Sequence, residues 1–184
     1  MTLGTPAPNP ATAAAPAEVE QRRAAWFADP VRFLRYELEV FLWDTQAEII
    51  RAIRHHRRVA IRSCNGSGKT YAVRLRRILW WLMCIANALA ITTAPTEHQV
   101  RDLLWREIRR IHTRNAALIG GEITKTGLDL AERNYAIGLS TDQPERFQGF
   151  HEGNILFVVD EASGVDEDIY EAIEGLVLSR SKGA

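Results

Sequence analysis

The stretch SCNGSGKT (63–70) follows the apolar segment RVAIRS (58–63), and a helical pattern runs from Lys69 to about Met83. The stretch fits G-x-x-x-x-G-K-[ST], with Ser63 in place of the first glycine. Gly66 and Gly68 let the loop turn its backbone N–H groups inward around an anion, and the following helix adds the positive end of its dipole. The pattern predicts a phosphate-binding loop between a strand and a helix.

Each position of this loop has a chemical reason. The Lys69 ammonium suits the β- and γ-phosphates of a nucleotide, and the Thr70 hydroxyl suits Mg²⁺. An ordinary glycine turn before a helix is the alternative interpretation. We therefore expect ATP to be contacted by the eight residues Ser63, Cys64, Asn65, Gly66, Ser67, Gly68, Lys69 and Thr70.

A second element, ILFVVDE (155–161), lies downstream. A buried strand that ends in Asp160 would bring this carboxylate beside the phosphate loop, where it holds Mg²⁺ directly or through water. The adjacent Glu161 would orient and deprotonate the attacking water. A strand that ends in a solvated acidic turn is the alternative, and the order of the two motifs favours catalysis.

Two further side chains are candidates. Gln46 in LWDTQAEII offers a donor and an acceptor for the edge of adenine, or it is a polar residue on a solvated helix face. Arg146 in QPERFQGFH would stabilise charge on the γ-phosphoryl group in the transition state, with a surface-loop arginine as the alternative and Arg62 as a weaker rival.

The composition fits one soluble domain. Residues 1–17 hold four of the seven prolines and lack aromatic and charged residues, so we expect a disordered leader before a domain at 18–184. The net charge of zero divides into 18 basic and 10 acidic groups in residues 18–118 and 5 against 13 in residues 119–184. Cys64 and Cys84 are too few for a disulfide framework, and no apolar run reaches the length of a membrane span.

Strands and helices alternate along the chain. Asp29 and Asp44 are expected helix caps, ALAITT (88–93) reads as a buried strand, and Thr96 and Gln99 have the spacing of a capping box. EITKT and NYAIGLS would form a two-strand hairpin, and DEDIYEAIEGLV (166–177) a final helix. This order predicts an α/β fold with a mainly parallel sheet flanked by helices.

The quoted motifs, together with ITTAPTEHQVRDLLWREI and ERFQGFHEGNILFVVDEASGVDEDIYEAIEG, resemble the N-terminal ATPase domain of the large terminase subunit of tailed bacteriophages. The similarity runs from about Phe33 to the end. It implies a P-loop ATPase fold of the additional-strand, catalytic-glutamate type.

By position, the resemblance assigns Lys69 and Thr70 to phosphate and Mg²⁺, Asp160 to Mg²⁺, Glu161 to water activation and Gln46 to adenine. Arg146 is less secure, since family arginines differ in position and act in some members from a neighbouring subunit. The implied function is ATP hydrolysis that drives double-stranded DNA into a procapsid. The implied partners are DNA, a small terminase subunit and the portal protein, with a homo-oligomeric ring docked on the procapsid in the host cytoplasm and no membrane.

The chain departs from that family in two ways. Many members carry an arginine inside the phosphate loop, where this chain has Cys64, Asn65 and Ser67. Relatives also continue beyond the position of Ala184, with a strand that inserts between the two motif-bearing strands and then a nuclease domain. We therefore expect an ATPase domain that is incomplete at its C-terminus and has a gap in its sheet.

Two alternatives remain. A superfamily 2 helicase-like ATPase also uses an upstream glutamine and a box like DEAS, and it would continue into a second RecA-like domain. A truncated remnant would bind nucleotide without turnover.

Overall fold

The computed structural model describes residues 16–62, 69–131, 133–141, 144–147, 149–150 and 152–180. In this part of the chain, four α-helices precede the first strand, and groups of helices and strands follow one another after it. The helices are α1 (Pro16–Ala28), α2 (Pro30–Arg32), α3 (Asp44–His55), α4 (Lys69–Cys84), α5 (Trp105–Arg114), α6 (Ala116–Ile119) and α7 (Glu167–Arg180). The strands are β1 (Ala88–Ala94), β2 (Glu122–Ile123), β3 (Gly127–Ala131), β4 (Asn134–Ser140) and β5 (Asn154–Val159).

Two π-helical turns and two 3₁₀ turns complete the described elements. Phe33–Glu37 continues α2 as a π-helix, and Gln99–Leu104 leads into α5 in the same way. The 3₁₀ turns are Pro144–Phe147 and Ala162–Gly164. Within the described residues, no helix combines the length and the apolarity that a membrane span needs.

The five strands form one open sheet in the order β2-β3-β4-β1-β5. β1 is parallel to β4 and to β5, whereas β3 is antiparallel to β2 and β4. The expected α/β class is confirmed, and the sheet is mixed rather than mainly parallel. The difference arises because β2, β3 and β4 follow one another through short connections, which join antiparallel neighbours.

The sheet is buried on both faces at its centre. All seven residues of β1 are buried, as its uninterrupted run of small and branched apolar side chains predicts. Ala88 and Ala90 pack with α4 and α5, while Leu89 and Ile91 pack on the other face with Phe147 and Ile169 of α7. Helices therefore cover both faces of the sheet.

The expected strand at 58–63 is wrong for the residues that are described. Residues 58–62 adopt no strand, and Ser63 lies outside the described residues. Both neighbours of β1 are other strands, and Arg58 instead forms an ion pair of 2.9 Å with Glu174 of α7. Apolar alternation favours a strand only where another strand is adjacent to pair with it.

The expected hairpin between EITKT and NYAIGLS is also wrong. β3 lies between β2 and β4 and pairs with both, so the two segments are not adjacent. The resulting unit is a three-stranded antiparallel meander at one side of the sheet. The segment GLDLA, which forms β3, alternates too briefly to be read as a strand from sequence.

Of the two expected aspartate caps, Asp29 is confirmed and Asp44 is wrong. The Asp29 carboxylate accepts the Arg32 backbone N–H at 2.9 Å, and Pro30 occupies the first helical position. Asp44 is instead the first residue of α3, and Trp43 is the cap. α1 begins at Pro16, which overlaps the end of the expected leader; the rest of that leader, residues 1–15, lies outside the described residues.

Candidate functional site

Three parallel strands end at one edge of the sheet. The register pairs Thr93 of β1 with Leu139 of β4 and with Val159 of β5, so these strands end at the same level. The segments that follow them therefore emerge side by side, and ligands of open α/β sheets bind at such carboxyl ends. We refer to this region as the carboxyl edge.

Helix α4 begins at the same edge. It ends at Cys84 and is joined to β1 by the short turn at 85–87, and it contacts β1, β4 and β5. A helix connected this tightly to a strand on which it packs must run antiparallel to that strand. Its 16 residues span about 24 Å, close to the roughly 23 Å of β1. The backbone of Lys69 therefore lies at the carboxyl edge.

The rest of the predicted phosphate loop cannot be compared with the structure. Ser63, Cys64, Asn65, Gly66, Ser67 and Gly68 lie outside the described residues, as do the side chains of Lys69 and Thr70. The helix start at Lys69 agrees with the expected helix from Lys69 to about Met83. Their assignment to nucleotide and Mg²⁺ stays a prediction.

Asp160 is held directly at the end of β5. Its backbone N–H donates to the Thr93 carbonyl at 2.8 Å, which continues the β1–β5 hydrogen bonding one residue past the strand. Its carboxylate Oδ1 accepts the Glu161 backbone N–H at 3.0 Å. The side chain is partly exposed at the carboxyl edge, which is the position that the sequence predicted for it.

Glu161 adopts a left-handed backbone conformation, with φ 47° and ψ 45°. Such a conformation is uncommon for a residue other than glycine and needs support from its surroundings. The Glu161 carbonyl accepts the Gly164 N–H at 2.8 Å, and Tyr170 of α7 donates its hydroxyl to the Ala162 carbonyl at 2.7 Å. These bonds fix the turn that presents the exposed Glu161 side chain.

Gln99 contacts Glu161 from the neighbouring strand connection. The Gln99 amide Nε2 donates to Glu161 Oε2 at 2.6 Å. Gln99 Oε1 accepts the Thr96 backbone N–H at 3.0 Å, and the Gln99 N–H donates to Thr96 Oγ1 at 3.2 Å, which confirms the predicted capping box. The spacing of Thr96 and Gln99 identified the cap, but nothing in the sequence signalled the contact with Glu161, 62 residues away.

Gln46 is a buried residue at the start of α3. Only 5% of its surface is exposed, and its Oε1 accepts the Trp43 backbone N–H at 3.1 Å. The solvated-face interpretation is therefore wrong, because the side chain satisfies the first turn of the helix. The contact occupies the carbonyl end of the amide, and the adenine contact stays a prediction that would rely on the N–H end.

Arg146 is exposed and follows β4 from the same edge. It lies in the 3₁₀ turn Pro144–Phe147, whose last residue, Phe147, is fully buried under the sheet. Thr141 ties the start of this connection to β1 by donating to the Pro95 carbonyl at 3.0 Å. Arg62, the weaker rival, is exposed and lies outside every strand. The structure thus anchors the Arg146 turn through Phe147, which packs with Leu89, Ile91 and Ile169 on the α7 face of the sheet, and the γ-phosphate role of Arg146 stays a prediction.

Asp160 is the described residue to which the sequence assigned Mg²⁺, and that assignment stays a prediction. Within the described residues, no group of three histidine, cysteine or acidic side chains could enclose a metal. Mg²⁺ commonly uses one or two carboxylates, several waters and substrate phosphates rather than an all-protein cage. A single carboxylate at the end of β5, such as Asp160, is compatible with that mode of binding.

Comparison of the chain with protein-family models, with curated proteins and with solved structures finds no match. The carboxyl edge and its acidic pair, Asp160 and Glu161, are therefore interpreted from their own geometry.

Proposed function

We propose that this chain is the ATPase portion of a DNA-packaging motor of the large terminase type, in which ATP hydrolysis moves double-stranded DNA into a procapsid. The observation that supports it most is that two adjacent carboxylate residues, Asp160 and Glu161, follow the end of β5 at the carboxyl edge, toward which the first turn of α4 is directed. This is the set of groups that phosphoryl transfer to water requires.

The proposed chemistry divides among these residues. Backbone N–H groups of 63–68 and the start of α4 bind the phosphates, Lys69 lies against the β- and γ-phosphates, and Thr70 and Asp160 hold Mg²⁺. When bound, Mg²⁺ neutralises charge on the phosphate oxygens. The Glu161 carboxylate takes the proton of the water that attacks the γ-phosphorus, and ADP leaves. Arg146 stabilises charge on the transferred group, and Gln46 contacts adenine.

One feature of the structure supports Glu161 as the base. Its turn is held by hydrogen bonds from Gly164 and Tyr170, so the backbone that carries the carboxylate has a defined position. A base that is already oriented lowers the entropic cost of reaching the transition state. The DNA-packaging part of the proposal has a separate support, which is the sequence resemblance from ITTAPTEHQ to EAIEG; with it come the DNA, small-subunit and portal partners and the ring on the procapsid.

ATP turnover of the full chain with Mg²⁺ tests the proposal. Glu161→Gln should lower kcat by about 10² to 10⁴, the usual contribution of a general base. Glu171→Gln, which removes the same charge from an exposed position of α7, should leave kcat unchanged. An unchanged rate in Glu161→Gln, or no turnover by the wild-type chain, would overturn the proposed mechanism. Stimulation of turnover by double-stranded DNA would support the motor function, and no effect of DNA would contradict it.

A further inference from the structure

The hydrogen bond between Gln99 and Glu161 has an unambiguous direction. Gln99 Oε1 accepts two donors, the Thr96 backbone N–H and the Thr96 hydroxyl, each at 3.0 Å. With the oxygen committed to Thr96, the –NH₂ end of the amide must face Glu161 Oε2, 2.6 Å away. The capping box therefore orients a donor at the carboxylate.

The chemical character of this donor matters. The amide N–H donates to the carboxylate oxygen, and because the amide is neutral it holds the carboxylate without the strong charge attraction of a lysine or arginine partner. The contact uses only one of the two carboxylate oxygens. An exposed glutamate without such a partner would sample several rotamers.

The position of Gln99 also matters. It follows β1 through Pro95 and Thr96, and the carbonyl of Thr93 in β1 accepts the backbone N–H of Asp160. The β1 end thus holds the acidic turn at two points, one at its backbone and one at the Glu161 side chain. A side chain that has a contact of its own keeps its geometry better than one held by its backbone alone.

We infer that Gln99 is a positioning residue for hydrolysis, which holds the Glu161 carboxylate aimed for proton transfer. The inference rests on the proposed function, since it acts through Glu161. A structural role in capping the helix would be the competing explanation, and the chain offers a substitution that separates the two.

Gln99→Glu keeps an acceptor for both Thr96 donors, and so retains the capping box, but removes the donor and places a second carboxylate beside Glu161. Gln99→Ala removes both the acceptor for Thr96 and the donor to Glu161. We expect both variants of the full chain to lower kcat for ATP by about tenfold to a hundredfold with KM and ATP affinity unchanged, the cost of misplacing a reacting group. Glu97→Gln serves as the control, because Glu97 lies on the same turn and contacts Arg101 at 3.3 Å instead.

A double-mutant cycle completes the test. In single-turnover hydrolysis, Gln99→Ala and Gln99→Glu should cause no further loss in a Glu161→Gln background, because the two residues act as one unit. The inference is overturned if Glu161→Gln abolishes turnover while both Gln99 variants keep the wild-type kcat. It is also overturned if only Gln99→Ala loses activity, since that result indicates capping alone. If Glu161→Gln itself retains turnover, the proposed function has failed rather than the Gln99 contact.

Discussion

The backbone N–H of Asp160 donates to the carbonyl of Thr93 at 2.8 Å. This bond continues the parallel pairing of β1 and β5 past Val159, the last residue of β5. Because β1 is buried along its whole length, it provides a rigid reference for the acidic turn. The position of the Asp160 backbone is therefore fixed by the core of the sheet.

Asn134 connects the end of α4 to the sheet, and we predict that Asn134→Ala destabilises the chain. Its Nδ2 donates to the carbonyls of Leu82 and Ile85, each at 2.7 Å, at a helix end where carbonyls lack intrahelical partners. Loss of both bonds should lower the free energy of unfolding by about 2 kcal/mol, at about 1 kcal/mol for each bond. Urea denaturation measures this difference.

Asn134→Asp is the matched control, because it keeps the shape of the side chain and replaces the donor by an acceptor. It should destabilise the chain at least as much as Asn134→Ala, since its oxygens would face two carbonyls. If the free energy of unfolding fell by less than about 0.5 kcal/mol in both variants, the role assigned to Asn134 would be contradicted.

Gly138 of β4 is required by the neighbouring Trp105, and we predict that Gly138→Ala is destabilising. A Cβ at this position would lie 2.8 Å from Trp105 Cδ1 and 2.8 Å from Val100 Cγ1. Trp105 is fully buried and donates its indole N–H to Thr92 Oγ1 at 2.9 Å, so it has no room to retreat. The overpacking should cost about 1–3 kcal/mol in urea unfolding.

Gly175→Ala provides the opposite expectation for the same chemical change. Gly175 lies in α7, and a Cβ there would meet nothing within 4 Å. Alanine in a helix should raise stability by up to about 1 kcal/mol. If the two variants had equal stability, the close approach of Trp105 would not explain the glycine at 138.

Arg77 of α4 is a partly buried cation, and we predict that Arg77→Met stabilises the fold. Burial lowers the pKa of Arg77 to about 10, and its Nε has no hydrogen-bond partner among the described residues. It lies against apolar side chains that include Leu34, Ile50 and Trp80. Replacing a partly buried guanidinium whose Nε has no partner among the described residues by an apolar side chain of similar length should raise the free energy of unfolding by about 1 kcal/mol or more.

Arg51→Met is the control for Arg77→Met, because Arg51 is exposed on α3. It should change the free energy of unfolding by no more than about 0.5 kcal/mol. A clear loss of stability in Arg77→Met would show that the guanidinium has a partner that stabilises it.

The buried thiol of Cys84 predicts a loss of stability in alkali. Burial raises the pKa of this thiol from 9.0 to about 12, so in this range the folded chain keeps a proton that the unfolded chain releases. The unfolded state is therefore favoured as pH rises above 9.0, and the loss should reach about 1 kcal/mol by pH 10.

Cys84→Ala separates the thiol from the other groups that titrate in alkali. The stability of this variant should fall less than that of the wild type between pH 8 and pH 10, measured by urea unfolding at each pH. Equal slopes for the two proteins would contradict a native-state thiol that resists ionisation.

Local signals in the sequence predicted most of this architecture. The apolar runs of β1 and β5 and the Thr96–Gln99 box were readable because the information lies within a few residues. The segment at 58–62 has the same strand-like composition, but the described sheet gives it no partner. The composition of a segment indicates its propensity to form a strand, but whether an adjacent strand is present depends on the tertiary structure.

The candidate site shows the same division. Asp160 was predicted at the end of its strand and lies there, because a strand and its last residue are local properties. The Gln99–Glu161 contact joins two connections that are distant in sequence, and Gln46 proved to be buried rather than solvated. Such placements depend on how the strands are ordered in the sheet.

The most direct test of the central claim is the ATP affinity of the full chain, measured by calorimetry with and without Mg²⁺. The claim is that the loop at 63–70 and Asp160 form one nucleotide site. Wild type should bind ATP more tightly with Mg²⁺ than without it, Asp160→Asn should lose that gain, and Lys69→Ala should weaken binding under both conditions. The claim would be contradicted if Mg²⁺ increased the ATP affinity of Asp160→Asn as much as that of wild type, or if wild type bound no ATP.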